Sequence, residues 1–482
     1  MEKIYTLSGS RLKEKILNKE ISAQEATQAV IDRINATDES LQAYNTYNFD
    51  AALEKAKKVD EKISKGEKVG KLAGIPVAVS DMILTKDLLT TAGSKMMYNY
   101  NSVSDAVAIE KLLGEDAVII GKTACDEFGM GLTGGNTAFK KSRNPWDLSR
   151  VPGGSSSGSA ATVAGCQVPM ALASDTGGSI RIPASYTGIV GLKPTYGTVS
   201  RNGLIAYGSS IDQIGSMART VDDSALLFES ICGKDGMDAT SKEYAFKGYG
   251  RDVKGLKVGL PKEYFGDDVS ADVKESIFKA VEVLKGLGAE IVDVSLPSAK
   301  FATNAYYIIA CAEASSNLGR YDGMKYGYPG SDWSSYENIY LSSRTEGFGA
   351  EVQKRVLFGT LVLSAGFYDK YFKRAKLVRK QIAGEFKAAF EKCDVMITPV
   401  TRTTAPKFGE KSYDDLKTYD DARFTARASL AGLPGISLPC GLGAGELPIG
   451  LQVIGNKFDE STLLTVAKCY ENAVGGFEIK EF

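Results

Sequence analysis

Two loops rich in glycine and serine carry the residues whose types and spacing suit chemistry. The first, residues 153–159, reads GGSSSGS, and the second, residues 175–179, reads DTGGS. Glycine lets the backbone turn tightly and leaves peptide N–H groups unhindered. A serine nucleophile beside N–H donors for an oxyanion is the arrangement that acyl transfer needs. We therefore predict an acyl-transfer site with Ser179 as the nucleophile and an oxyanion hole formed by the backbone of Thr176, Gly177 and Gly178.

Other chemistries suit these loops less well. A glycine-rich turn before a helix can bind a phosphate group, but the first loop lacks the Gly-Lys-Ser/Thr ending of phosphate-binding loops. A serine in the place of Ser179 can also act only as a helix cap. The chain contains no histidine, which excludes triads built on that residue and most zinc sites. We predict no metal and no cofactor.

The stretch around the two loops resembles the signature of the amidase signature family, whose members are Ser-cisSer-Lys hydrolases. Residues 151–197 read VPGGSSSGSAATVAGCQVPMALASDTGGSIRIPASYTGIVGLKPTYG. The resemblance implies that Ser179 is the nucleophile. It also implies that Ser155, which lies 24 positions upstream on a cis peptide bond, is the serine that bridges the nucleophile to a lysine.

Three further segments are similar to the A subunits of tRNA-dependent amidotransferases within that family. They read AYYIIACAEASSNLGRYDGMKYGY, SSRTEGFGAEVQKRVLFGT and LAGLPGISLPCG. The resemblance implies a glutaminase that supplies ammonia, that acts with B- and C-type subunits and that meets tRNA only through a partner.

The sequence departs from the family at the third member of the triad. Family members carry a general-base lysine in a strand reading roughly GIPVAVKDN, whereas this chain reads GIPVAVSDM and has Ser80 at that position. A hydroxyl group has no basic lone pair near neutral pH, so Ser80 cannot replace the lysine as a base. Met82 stands where an asparagine is expected. We expect glutaminase activity to be lost or very low.

The resemblance also implies a pocket for the amide substrate. Arg355, in QKRVLFGT, would hold the α-carboxylate of glutamine, because a guanidinium donates two parallel hydrogen bonds to a carboxylate. Ala422 replaces the aspartate expected to hold the α-ammonium, and the adjacent Asp421 is a candidate substitute. The other predicted substrate-binding residues are Tyr306, Tyr307 and Gly131.

Three interpretations of Ser80 remain open. The chain is an amidotransferase subunit inactivated by engineering, a natural paralogue that serves as a binding or scaffold subunit, or a natural paralogue that acts as an amidase or acyltransferase on another substrate. The further changes at Met82 and Ala422 argue against the first. The intact oxyanion loop and both serines favour an enzyme. Lys86 and Lys95 are candidates for another base, although loop lysines are usually solvated.

Composition is that of an ordinary globular protein. The chain has 482 residues, 43% apolar and 24% charged, with a formal net charge of −1, which gives no overall attraction for nucleic acid. Seven cysteines without a CxxC pair favour free thiols in a reducing compartment. No apolar run reaches transmembrane length, and the N-terminus is too polar for a signal peptide. We expect a cytoplasmic protein.

The elements that must position the two loops alternate between short apolar strands and helices. This pattern predicts an α/β fold, a single large α/β/α domain with a mixed twisted sheet covered by helices. Residues 1–70 are predicted to form an N-terminal helical layer packed on an α/β/α core of residues 71–482. Residues 301–349 lack regular periodicity and are expected to cover the site, and a long amphipathic helix is expected over residues 367–392. Strands are predicted over residues 75–79, 117–121, 169–174, 256–260, 290–294, 394–398, 435–439 and 449–454.

Overall fold

The computed structural model describes residues 3–410, 419, 421–480 and 482. Within these residues, the strands in chain order are β1 (Tyr44–Tyr47), β2 (Pro76–Ser80), β3 (Val118–Thr123), β4 (Met170–Asp175), β5 (Val190–Lys193), β6 (Gln213–Ala218), β7 (Lys257–Pro261), β8 (Glu290–Val294), β9 (Val395–Pro399), β10 (Gly435–Gly443) and β11 (Leu447–Gly455). They form one sheet in the order β1-β3-β2-β4-β6-β5-β10-β11-β9-β7-β8. Each of the eight predicted strands is present, with its ends shifted by a few residues at most except in β10, which runs four residues further.

The sheet is mixed, which confirms the predicted fold class. β2 pairs in parallel with β3 and β4, and β7 pairs in parallel with β8 and β9. The strands between these two groups pair antiparallel, as do β1 and β3. Because neighbouring parallel strands end at the same edge, the carboxyl ends of β2 and β4 lie side by side.

Helices cover both faces of the sheet. They are α1 (Gly9–Leu17), α2 (Ala23–Leu41), α3 (Phe49–Ser64), α4 (Val107–Gly114), α5 (Ser157–Ala164), α6 (Arg181–Thr187), α7 (Val221–Ile231), α8 (Ala271–Gly286), α9 (Ala302–Asn317), α10 (Tyr336–Gly347), α11 (Ala350–Leu363), α12 (Lys373–Ala389), α13 (Ala422–Ala431) and α14 (Glu460–Ala473). Side chains alternate along a strand, so Val77 and Val79 enter one core, whereas Ala78 enters a second core beneath α1–α3 and α5. No described helix is both long and apolar enough to cross a membrane.

The N-terminal residues form the helices α1, α2 and α3, with one short strand between α2 and α3. Ser22 and Glu25 form the capping box that starts α2. Residues 44–47, however, form β1, which pairs with β3 at the edge of the sheet. No strand was predicted among these helices, because four residues are too few for a strand pattern to stand out from the helices on either side. The boundary at residue 70 stays a prediction.

Regular helices occupy much of residues 301–349, although this stretch lacks regular periodicity in the sequence; that it covers the site stays a prediction. This stretch contains α9 and α10, and α9 packs against α11, α12 and α13. α9 is buried on most of its circumference, and a helix buried all round has no apolar stripe for a periodicity search to find. The long helix expected over residues 367–392 is α12, preceded by a π-helical turn at Tyr368–Phe372.

Candidate active site

The parallel pairing of β2 with β4 brings the two serine loops and Ser80 to one edge of the sheet. Ser80 is the last residue of β2, and Ser179 follows β4 by four residues. The N–H of Ser156 donates to the carbonyl of Ser179 at 3.2 Å, which joins the two loops directly. The peptide bond between Gly154 and Ser155 is cis. Ser80, Ser155 and Ser179 are all buried.

A buried ion pair fixes the loop that carries Ser179. The Asp175 carboxylate accepts hydrogen bonds from the N–H groups of Gly178 and Ile180 at 2.7 and 3.1 Å. It also accepts from Nε and Nη2 of Arg181 at 3.0 and 2.9 Å. Burial opposes ionisation of Asp175, but the Arg181 guanidinium outweighs it and holds the pKa of this carboxyl below its ordinary value. Asp175 and Arg181 thus hold the loop.

This network changes the predicted set of oxyanion donors. The Gly178 N–H is committed to Asp175, so it is not available to a substrate. The N–H groups of Thr176, Gly177 and Ser179 form no hydrogen bond within the described part of the chain. Gly178 has another role, because its φ of +137° is a conformation that residues with a side chain rarely adopt. The candidate donors are therefore Thr176, Gly177 and Ser179.

Neither Ser80 nor Met82 at the end of β2 offers a basic side chain. The Ser80 hydroxyl accepts a long hydrogen bond of 3.4 Å from the N–H of Met82. A methyl group built on Gly129 would lie 3.6 Å from Cε of Met82 and 3.7 Å from Oγ of Ser155, so both groups border the same small space. An apolar thioether therefore lies beside the candidate bridging serine.

A buried lysine close to this strand end was missed from the sequence. Lys122, on β3, donates from Nζ to the carbonyl of Ile83 and to Oγ1 of Thr90, and burial lowers its pKa to about 8. Its register partner on β2 is Val79, one residue before Ser80. Consecutive residues of a strand face opposite sides, so Lys122 lies on the other face of the sheet from Ser80. A lysine inside the apolar run AVIIGKT was the signal in the sequence.

The two lysines considered as alternative bases lie at the surface. Lys86 and Lys95 are both exposed. The Lys95 ammonium lies 4.0 Å from the centre of the Tyr328 ring, a cation–π contact. These positions agree with the interpretation that both are solvated.

Arg355 lies in a buried cage of tyrosines. It is 1% exposed, and its guanidinium carbon lies 5.4, 5.3 and 4.8 Å from the ring centres of Tyr207, Tyr307 and Tyr419. Nε donates to Glu351 at 2.8 Å and Nη1 donates to the Tyr207 hydroxyl. Nη2 is buried and has no hydrogen-bond partner among the described residues.

Aromatic contacts connect Arg355 with the nucleophile loop. A methyl group added to Gly177 would lie 2.5 Å from Cζ of Tyr306, so this ring packs directly on the loop. The side chain of Tyr306 lies close to that of Tyr207, whose hydroxyl accepts a hydrogen bond from Arg355. Tyr207 is a further residue that sequence reasoning missed, since nothing in the segment around it marks it as part of a site.

Asp421 and Ala422 lie at the start of α13, near the same tyrosines. The Asp421 carboxylate forms an ion pair with Nε of Arg402 at 2.8 Å and accepts a hydrogen bond from the Tyr186 hydroxyl at 3.4 Å. Ala422 is fully buried in an apolar cluster that includes Tyr307 and Tyr419. Asp421 is therefore already paired with a cation.

Asp126 explains the glycine at position 131. The carboxylate of Asp126 accepts from the N–H groups of Gly134 and Asn136 at 3.0 and 2.9 Å, and burial raises its pKa to about 6. A methyl group on Gly131 or on Gly154 would collide with this carboxylate. The Asp126 N–H also donates to the carbonyl of Ser155 at 3.0 Å. Gly131 thus leaves room for Asp126, which supports the first serine loop.

The neighbouring Glu127 holds the beginning of α11, the helix that carries Arg355. Its carboxylate accepts from the Ser94 hydroxyl at 2.5 Å and from the N–H of Gly349 at 2.9 Å. Burial raises the pKa of Glu127 to about 7. The two adjacent acids therefore support both sides of the candidate site.

The family is shown by comparison with known proteins. The model of the amidase family matches residues 25–464, so the chain belongs to that family, a class of enzymes that act on C–N bonds. It is 51% identical over 472 residues to the A subunit of glutamyl-tRNA(Gln) amidotransferase from Carboxydothermus hydrogenoformans, with 97% of each chain covered.

Solved structures give the same result. The fold is similar to that of the A subunit of glutamyl-tRNA(Gln) amidotransferase from Thermotoga maritima, with a TM-score of 0.79 at 37% identity over 97% of this chain and 95% of the other. It is also similar to the native peptide amidase of Stenotrophomonas maltophilia, with a TM-score of 0.83 at 28% identity over 98% of each chain. These similarities support an amidase resembling the A subunits.

Proposed function

We propose that the chain is an acyl-transfer enzyme in which Ser179 is the nucleophile and Ser155 the bridging serine. The observation that carries this proposal is the position of Ser179. It lies beside three backbone N–H groups that have no acceptor within the described residues, in a loop fixed by Asp175 and Arg181. Unpaired backbone donors beside a serine are suited to stabilise the oxyanion formed when that serine attacks a carbonyl.

The reaction proceeds through an acyl-enzyme. The Ser179 hydroxyl attacks the amide carbon, and the oxyanion is stabilised by the N–H groups of Thr176, Gly177 and Ser179. The C–N bond then breaks, ammonia leaves with a proton, and water or another acceptor takes the acyl group from Ser179. Ser155 passes the proton of Ser179 towards the end of β2, where Ser80 lies.

Proton transfer is the weak step in this chain. Ser80 ends the relay on a hydroxyl of high pKa, so the general-base contribution, typically about 10² to 10⁴ in rate, is missing. Positioning and oxyanion stabilisation remain. We infer that the chain reacts slowly with activated esters and that its glutaminase activity is lost or very low.

Arg355 is the proposed carboxylate-binding residue. Its buried Nη2 supplies a charged donor, and the rings of Tyr306 and Tyr307 lie between it and the nucleophile loop. Asp421 is a poor substitute for an ammonium-binding aspartate because Arg402 already neutralises it. Gly131 contributes indirectly through Asp126.

The proposed partners are B- and C-type amidotransferase subunits in the cytoplasm. The relatives that support them are named as A subunits. With a formal net charge of −1, the chain has no general attraction for nucleic acid. Any tRNA is therefore held mainly by a partner.

A scaffold role without catalytic activity is the second candidate. The hydroxyl at Ser80 and the thioether at Met82 favour it, because both replace polar groups that a proton relay needs. The two candidates differ in whether Ser179 is reactive.

Labelling with a fluorophosphonate separates the two candidates. An enzyme labels slowly at Ser179, and Ser179→Ala abolishes the label. Ser156→Ala is the matched control, since its hydroxyl lies in the adjoining loop but donates to the carbonyl of Ser174 at 3.0 Å. Absence of any label on the folded wild-type chain, identified by mass spectrometry, would support the scaffold.

A further inference from the structure

The Arg355 guanidinium is only partly paired. Glu351 accepts from Nε of Arg355 at 2.8 Å, and the same carboxylate forms an ion pair with Lys354 at 2.6 Å. The Tyr419 hydroxyl also donates to it. One carboxylate thus serves two cations, and Nη2 of Arg355 has no acceptor among the described residues. A buried, unpaired guanidinium N–H is costly unless a ligand supplies an anion.

An apolar wall connects Arg355 with the start of α6, the helix that follows Ser179. The wall consists of Tyr307, Tyr419 and Ala422, which pack in one buried cluster with Ile182, the third residue after Ser179. The rings of Tyr307 and Tyr419 have their centres 5.4 Å apart. Such a surface favours methylene groups and disfavours a desolvated charge.

Four described carboxylates near this wall and the Ser179 loop already have ion-pair or hydrogen-bond partners. Asp421 pairs with Arg402, and Asp175 pairs with Arg181. Asp126 accepts hydrogen bonds from N–H groups of the loop that follows it. Asp212 accepts from the Thr176 hydroxyl at 2.7 Å and from the N–H of Tyr207 at 3.0 Å.

An ammonium group next to the bound carboxylate would therefore lie beside the Arg355 guanidinium, and the four acids named above already have hydrogen-bond or ion-pair partners. A buried cation without a counter-ion is strongly disfavoured. Free glutamine carries such an ammonium beside its carboxylate.

We propose that the site selects ω-amides of carboxylic acids that carry no positive charge beside the carboxylate. The inference rests on the proposed function, because it takes Arg355 as the carboxylate anchor and Ser179 as the residue facing the amide. The simplest member of the class is 5-amino-5-oxopentanoate, which is glutamine without its α-amino group. N-acetylglutamine, whose nitrogen is uncharged, is a bulkier member.

Calorimetric titration of the full chain at pH 7 tests the proposal. Because turnover is expected to be slow, the amides stay intact while their binding is measured. We expect 5-amino-5-oxopentanoate to bind at least about tenfold more tightly than glutamine, as one unpaired buried charge implies. Pentanamide, which lacks the carboxylate, should bind more weakly still. Ala422→Asp should reverse the preference towards glutamine, and Ala422→Asn is the matched variant of the same shape without the charge.

The outcomes test the selectivity and the carboxylate anchor separately. Tighter binding of glutamine than of 5-amino-5-oxopentanoate by the wild-type chain overturns the selectivity but leaves the carboxylate anchor in place. Equal binding of pentanamide and 5-amino-5-oxopentanoate, unaffected by Arg355→Met in a folded variant, overturns the anchor and with it the substrate part of the proposed function. If Ala422→Asp does not fold, the comparison of ligands on the wild-type chain still decides.

Discussion

The loop that carries Ser179 and the strand end that carries Ser80 lie on neighbouring parallel strands, yet they are built from different chemistry. The loop has a buried ion pair, a glycine at φ +137° and three N–H groups without acceptors among the described residues. The strand end has a hydroxyl, a thioether and a lysine directed to the other face. The candidate oxyanion donors are present, whereas position 80 carries no lysine. In the proposed mechanism, oxyanion stabilisation and proton transfer occupy separate structural elements, so one can be lost without the other.

The largest expected effect comes from restoring the proton acceptor. Ser80→Lys together with Met82→Asn should raise amide hydrolysis by about 10² to 10⁴, because a general base then takes the proton of Ser179 through Ser155. Ammonia release from 5-amino-5-oxopentanoate and from glutamine measures the gain. The same pair of changes in a Ser179→Ala background is the control and should give nothing. A repaired variant that is folded but inert with every amide and ester would refute the enzyme interpretation.

Breaking the ion pair between Asp175 and Arg181, which fixes the Ser179 loop, should lower the free energy of unfolding. Arg181→Met leaves the fully buried Asp175 without its cation, and removing one partner of a buried pair typically costs about 3 to 5 kcal/mol. Urea unfolding measures the loss in the free energy of unfolding. Lys279→Ala, which removes an exposed pair with Glu275, is the matched control and should cost less than about 0.5 kcal/mol. A loss of similar size in both variants would show that Asp175 does not need its partner.

Glu127 gives a smaller effect that depends on pH. Its pKa is about 7 in the folded chain and 4.5 ordinarily, so the folded state binds this proton more tightly. The stability gained from the proton is complete below pH 4.5 and is lost as the pH rises through 7. Between pH 5 and 8, the free energy of unfolding should therefore fall by on the order of 2 kcal/mol less in Glu127→Gln than in the wild-type chain.

The neighbouring acid provides the internal check on that prediction. Burial also raises the pKa of Asp126, to about 6, so its contribution has the same sign and a smaller slope should persist in Glu127→Gln. Identical pH profiles for the variant and the wild-type chain would contradict the assigned pKa of Glu127.

The smallest expected effect on the reactivity of Ser179 concerns Lys122. Because this lysine lies on the other face of the sheet from Ser80, Lys122→Met should leave the rate of fluorophosphonate labelling of Ser179 unchanged. It should also remove a rise in stability between pH 8 and 10.5, since the folded chain releases this proton at about pH 8 and the unfolded chain at its ordinary pKa of 10.5. Loss of labelling in a folded variant would identify Lys122 as the missing base.

Local rules made much of the fold predictable. Short apolar runs predicted the strands that carry Ser80 and precede Ser179, and the capping box predicted the start of α2, because these signals depend only on neighbouring residues. α9 escaped prediction because apolar residues surround it. β1 escaped because it is short and its partner strand lies far away in the sequence.

The candidate site was likewise predictable from the sequence only in part. The motif around Ser179 indicated a nucleophile loop, but only the fold pairs the Gly178 N–H with Asp175 and so removes it from the donors. The position of Arg355 in the sequence says nothing about Tyr207, which reaches it from a distant loop. Likewise, Asp421 is adjacent to Ala422 in the chain, and only its contact with Arg402 shows that it is neutralised.

Helix α9 places two consecutive tyrosines on different parts of the candidate site. Successive residues of an α-helix point about 100° apart, so Tyr306 packs on Gly177 while Tyr307 lies against Arg355. In the proposed mechanism, the spacing of these two tyrosines on one rigid helix sets the distance between the end of a ligand that is anchored and the end that reacts. Ligands of another length would require α9 to slide or its neighbours to be rebuilt. Ligands of the same length but different charge require only a change at a wall position such as Ala422, so head-group recognition can diverge while chain length stays constant.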